Sequence, residues 1–234
     1  MIYFLYLIFF LLINSTIYSE KGSSFYKNFS QWMDAAYTGD YKTCLKISEY
    51  LLTLATNRKI WANDNQTMDV ITYLGKMGTE IRVQNPTESY NYALIRVNSV
   101  RALEAIGGDY AIICVLRIIN AERHVKDELV YTACLKALKK LGNDKNFYTI
   151  RAARQIYEHL YEKYSSGSVE GMEAFIECVN ELCLSAPYEI VKKYRIIEAL
   201  KELANEFPYY RIYPQEIRKK AKLAMVNIMI NANN

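Results

Sequence analysis

Two stretches of the chain repeat one another: Ala102-Leu103-Glu104-Ala105-Ile106-Gly107-Gly108-Asp109 and Ala137-Leu138-Lys139-Lys140-Leu141-Gly142-Asn143-Asp144. They stand 35 residues apart, as Asp144 stands from Asp109, which is the length of two short helices and their turns. A fixed period in that range marks stacked units, none of which buries its apolar side alone. The repeat narrows the fold to a row of helical hairpins. It also favours a surface for holding partners over a pocket for chemistry.

The agreement extends upstream of the two octapeptides. Ile95-Arg96, Ser99, Ala102-Leu103 and Ile106-Gly107 align with Val130-Tyr131, Cys134, Ala137-Leu138 and Leu141-Gly142. Small residues at Ser99, Ala102, Cys134 and Ala137 let a neighbouring helix come close. Leu103, Ile106, Leu138 and Leu141 are expected to fill the layer between units. Gly107 and Gly142 supply the left-handed conformation that stops a helix. Asp109 and Asp144 are then placed to cap the next helix by accepting from its unpaired N–H groups.

Helical spacing dominates the rest of the chain. The pattern predicts helices over Phe25–Tyr37, Asp40–Leu54, Val70–Met77, Glu88–Ile106, Asp109–Asn120, Lys126–Leu141, Asp144–Tyr164, Val169–Leu184, Tyr188–Phe207 and Gln215–Ile230. Asn85-Pro86-Thr87 breaks the chain, and 165–168 reads as a turn. Pro187 and Pro214 stand near helix starts, where Pro is tolerated. No run alternates apolar and polar residues long enough to make a strand. Asp109–Asn120 is apolar nearly all round, with Arg117 as its one charge after the cap, and is expected in the middle of the stack.

These residues resemble the HEAT-repeat family, in particular its short bacterial variant, whose signature is a branched residue, Arg, then Ala, Ala-Leu-Gly and Ile-Gly. Two units match over 88–164, and Thr67–Gly78 and Ile217–Ile228 match in part. Tyr131 stands where the pattern has Arg, and Glu104 and Lys139 stand where it has the inner Gly. The hairpin Trp32…Gly39-Asp40-Tyr41…Leu51-Leu52 also looks like a tetratricopeptide unit. The resemblance implies an all-α fold: an α-solenoid of antiparallel hairpins, an armadillo-type superhelix in which each hairpin is buried against its neighbours. Enzymes on such scaffolds include bilin lyases, which act with a tetrapyrrole, and DNA glycosylases.

The first nineteen residues differ from the remainder. Ile2 to Ile13 is an unbroken apolar run, and no charge precedes Glu20. The run is short for a bilayer span, which takes about 20 residues. It reads as a secretory signal over 1–19 with Ile17-Tyr18-Ser19 at the cleavage site. The absence of Lys or Arg near Met1 keeps an uncleaved membrane anchor as the alternative. A single helical-repeat domain then covers 20–234, exported to the periplasm or beyond the cell. Five cysteines cannot all pair within one chain. Cys44, Cys114, Cys134 and Cys178 sit among apolar residues on predicted helices, and Cys178 and Cys183 do not share a helix face well. Buried thiols are therefore expected, rather than a disulfide framework.

Nothing in the chain announces catalysis. There is no Gly-x-Ser-x-Gly, phosphate-cradling glycine loop, His-Glu-x-x-His or Cys-x-x-Cys. Of the two histidines, His124 falls in a turn with Glu122 and Arg123, and His159 lies beside Glu158; neither spacing suits a metal. Glu198 and Glu202 read as a wet surface. No cofactor and no metal are expected, and export points away from genomic DNA. The tail run Arg218-Lys219-Lys220…Lys222 lacks the aromatic interleaving of a nucleic-acid site. A formal charge of +4 neither demands nor excludes an acidic partner.

Binding fits better. One period beyond Arg117 lies position 152, beside Arg151 and within a turn of Arg154. Because second helices of such units line one face, Arg117, Arg151 and Arg154 form a candidate basic stripe. The competing reading makes them scattered solubilising charges, or pairs Arg117 with a buried carboxylate. The expectation is an exported scaffold that holds an unidentified protein partner. The alternatives keep the fold and add either a catalytic or ligand cleft, or self-association through terminal hairpins as an envelope oligomer.

Overall fold

The computed structural model describes residues 30–81, 92–163, 168–205 and 213–232. The apolar leader, the Asn85-Pro86-Thr87 break and residues 165–167 of the expected turn lie outside them. The described residues form eleven helices and no strand. These are α1 (30–37), α2 (Tyr41–Thr56), α3 (Asn65–Leu74), α4 (Ala93–Ile106), α5 (Asp109–Glu122), α6 (Glu128–Leu141), α7 (Tyr148–Lys163), α8 (Val169–Leu184), α9 (Tyr188–Lys193), α10 (Ile196–Leu203) and α11 (Gln215–Ala232). None of them is long and apolar enough to cross a membrane.

Packing follows a regular scheme. Alternate helices meet over most of the chain, so that α2 lies on α4, α4 on α6 and α6 on α8, while α3 meets α5 and α5 meets α7; at the end α8 meets α11, three helices on. Consecutive helices α3–α4, α4–α5, α5–α6 and α7–α8 also touch. One apolar cluster runs through these contacts, from Ala36 to Ile228. The small residues of the repeat do what their size allows: Ser99, Ala102, Cys134 and Ala137 are all buried. Gly75 marks another close approach, since a Cβ there would fall on Ile118 Cδ1 and lie 2.8 Å from its Cγ1.

The two repeat glycines are required for torsional reasons. Gly107 has φ 77° and ψ −175°, and Gly142 has φ 86° and ψ −163°. That combination of positive φ and extended ψ is open almost only to glycine, a stricter demand than the expected left-handed helix conformation. A side chain would meet nothing within 4 Å at either site, so space is not the constraint. Each N–H closes its helix on the residue four earlier, Leu103 or Leu138, at 3.0 Å.

Several expectations need correction. Asp109 does not cap α5; Gly108 precedes the helix without a side-chain bond, and Asp109 opens it as an acidic first-turn residue. Asp144 accepts from the Asn146 N–H and, as expected of a cap, from the Thr149 N–H in the first turn of α7, although that helix begins only at Tyr148 after Phe147 at φ 56°. The helix expected over Val70–Met77 starts earlier and ends at Leu74. Arg195 adopts φ 53° and ψ 41°, which divides the expected helix Tyr188–Phe207 into α9 and α10. The division buries Ile196, Ala199, Leu200 and Leu203. It also lets Glu202 accept the Tyr157 hydroxyl at 2.7 Å, so that carboxylate is a packing partner and not a wet surface. Leu103 and Leu138 are fully buried, whereas Ile106 and Leu141 are only half-buried. All five cysteines are free and buried, as small hydrophobes.

The centre holds a pair of charges removed from water. Arg96 Nε lies 2.9 Å from Glu122 Oε2, and both side chains have no exposed surface. Arg96 also donates to the Met77 carbonyl at 2.9 Å, and Glu122 accepts the Asp127 N–H at 2.9 Å. Burial pushes the Glu122 carboxyl up to about 7, against the opposing pull of Arg96 and the Asp127 N–H. Replacing Glu122 by Leu strands a buried guanidinium and is expected to cost about 3–5 kcal/mol in chemical denaturation. Because the carboxyl binds its proton more tightly in the folded chain, its contribution is fullest below pH 4.5 and is lost as pH rises through about 7. Glu122→Gln, which cannot titrate, should therefore lack that downward slope when stability is measured across the same range.

Candidate functional site

The surface beside this core is not uniform in how it uses charge. Across α4, α6, α8 and α11, cations meet carboxylates on the neighbouring helix. Lys140 lies 3.4 Å from Glu104, Lys136 2.7 Å from Glu170, Lys139 2.9 Å from Glu177, and Lys220 3.2 Å from Glu173. Lys136 holds the Glu170 carboxyl below its ordinary range, and Lys139 does the same for Glu177. These pairs knit helix to helix.

The α5–α7 side differs. An open groove of about 640 Å³ runs there, walled by Ile113, Leu116, Arg117 and Asn120 of α5 and by Tyr148, Arg151, Ala152 and Gln155 of α7. Lys76 and Glu80, after α3, close one end, and Arg123 follows α5. The α5 wall recurs at helical spacing, from Ile113 through Leu116 and Arg117 to Asn120, so one continuous helix face forms it. α5 is therefore not covered on all sides: Ile113 is 43% exposed and Tyr148 48%, giving the groove an apolar lining.

Its charges fall into two groups. Lys76 is paired with Glu80 at 2.6 Å. Arg117 lies 3.6 Å from Asp69 and donates to the Tyr110 hydroxyl, which itself donates to Asp69 at 2.6 Å. That network holds Arg117 toward α3, and its partner Asp69 is a half-exposed carboxylate, not a buried one. Arg123 donates to the Gln155 amide oxygen at 3.0 Å. Neither Arg123 nor Arg151 has a carboxylate partner among the described residues.

Of the three arginines expected in a stripe, the structure brings Arg117 and Arg151 to one groove and separates the third. Arg154 is largely covered, lies 3.1 Å from Glu158 and sits with its guanidinium carbon 5.1 Å from the centre of the Tyr157 ring. It braces α7 from another side. Arg123 takes its place in the groove, and it was legible only as part of a turn. An apolar residue at Ile113, on a face otherwise carrying Arg117 and Asn120, was the available signal.

Catalytic equipment is sparse among the described residues. No three His, Cys, Asp or Glu side chains gather there as a metal site. His124 is exposed in the turn after α5, and the His159 ring stacks on Tyr131 at 5.8 Å. Burial pushes the Cys44 thiol up to about 11 and that of Cys183 to about 12, so neither is an activated nucleophile. The groove thus combines exposed arginines with exposed apolar side chains in an open trough. Against known proteins, the chain matches no family model, no curated protein and no solved structure.

Proposed function

We propose that this chain is an exported α-solenoid of HEAT-like hairpins that acts as a non-catalytic scaffold, holding a protein partner along the α5–α7 groove. The solenoid reading is supported by the contacts of alternate helices with one another over most of the chain. The observation that carries the function is the groove itself, an open trough with Arg123 and Arg151 unpartnered by carboxylates beside exposed Ile113 and Tyr148. Apolar surface with unneutralised charge at its edge is how a protein interface is built before its partner arrives.

A photo-crosslinking residue at Asn120, in the groove, tests this in the producing cell against the same residue at Lys145, an exposed turn position. A discrete protein adduct at Asn120 that is missing at Lys145 is the expected result. Equal labelling at the two sites would remove the groove from the proposal. Export rests on the apolar run Ile2–Ile13. Intact-mass measurement of the native chain is expected to begin at Glu20, and a retained Met1 would mean an anchor.

One observation favours a second reading, self-association through the last helix. On α11, Leu223, Val226, Met229 and Ile230 are between 49% and 62% exposed, and their spacing puts them on one face opposite buried Ala221, Ala224, Met225 and Ile228. A contiguous apolar face of this kind is where a second copy would pack. Sedimentation equilibrium should then show a dimer that Leu223→Glu with Met229→Glu converts to monomer. A wild-type chain that stays monomeric as concentration rises ends this reading.

A further inference from the structure

The geometry points to a partner class for the groove: an acidic peptide segment with apolar anchor side chains, seated between α5 and α7. This assignment rests on the scaffold reading above and narrows it. The argument begins from a contrast. Where helices α4, α6, α8 and α11 meet, carboxylates of one helix answer cations of the next. Along α5 and α7, Arg151 and Arg123 face the trough with no such answer among the described residues. Arg117 has only one half-exposed carboxylate, at 3.6 Å. Two of the cations are thus free to take a negative counter-charge from outside.

The apolar lining specifies the rest. Ile113 and Tyr148 present exposed apolar surface along the trough, which a polyanionic backbone would leave unfilled and a side chain such as Leu or Phe would cover. Nucleic acid wants a track of cations following phosphates, together with stacking platforms. Here the cations are few, Glu80 stands at one end, and the apolar surface is aliphatic as much as aromatic. A trough between two helices takes an amphipathic segment with its greasy side down. Its acidic residues would then lie at the rim opposite Arg123 and Arg151, whose planar guanidinium groups suit carboxylates in bidentate geometry.

The test uses the full chain and two synthetic peptides in fluorescence anisotropy. Both carry Leu and Phe at helical spacing; one has Glu and the other Lys at the intervening positions. The Glu peptide is expected to bind, and to weaken at least about tenfold against Arg123→Glu with Arg151→Glu, with a steep salt dependence. The Lys peptide should gain affinity for that double variant. Both positions are exposed, so melting of the variant should match the wild type. Arg123→Ala with Arg151→Ala gives the same loss without introducing repulsion.

Glu and Lys peptides of equal affinity, or binding indifferent to both arginine pairs, would overturn the assignment. So would a duplex DNA fragment that outcompetes the Glu peptide through the same arginines. A random-peptide display selection separates the two levels of failure. Enriched peptides without acidic residues, unaffected by the arginine variants, would end this assignment and leave the scaffold reading standing. No enrichment at all would end both.

Discussion

Arg96 and Glu122 connect four segments of the chain at one buried point. The guanidinium reaches from α4 to the Met77 carbonyl after α3, and the carboxylate at the end of α5 accepts the N–H at the start of α6. Two charges removed from water are tolerated only when their geometry and remaining hydrogen bonds are well met. Displacing any of the four segments therefore leaves a polar group without its partner, a penalty that apolar packing alone would not impose. The pair thus ties the end of α5 to α4, to the segment after α3 and to the start of α6.

The faces of α5 divide sharply between core and surface. The face of α5 turned inward carries Ile112, Val115, Ile118 and Ile119, all buried. Among the described residues no further helix covers the remaining face, which carries Ile113, Arg117 and Asn120 to the surface. Across α4, α6, α8 and α11, Lys136, Lys139, Lys140 and Lys220 are matched by carboxylates of the neighbouring helix. Exposed pairs of that kind contribute little individually to stability, but they neutralise the surface.

The sequence disclosed the all-helical character, most helix boundaries and the positions of the stop signals, because those depend on local torsion and periodicity. Gly107 and Gly142 were legible for that reason. The break at Arg195 and the delayed start of α7 after Phe147 were not, since neither residue type advertises positive φ and tertiary packing imposes it. Arg96 was visible as a signature position, yet its partner Glu122 read only as part of a turn, because a contact across 26 positions leaves no periodic trace. The groove was half legible for the same reason: periodicity aligned Arg117 with Arg151 but could not tell that Arg154 turns to Tyr157 or that Arg123 turns in.

The five free, buried cysteines impose an order on the chain's own maturation. In an oxidising compartment an unfolded copy exposes an odd number of sulfhydryls, so at least one sulfur in any fully bridged product would have to seek another molecule. Once the helices close over them, the same sulfhydryls are protonated and sheltered, and an oxidant has nothing to attack. Wherever an oxidant is present, the packing of α2, α5, α6 and α8 against one another is thus what keeps the five sulfurs single.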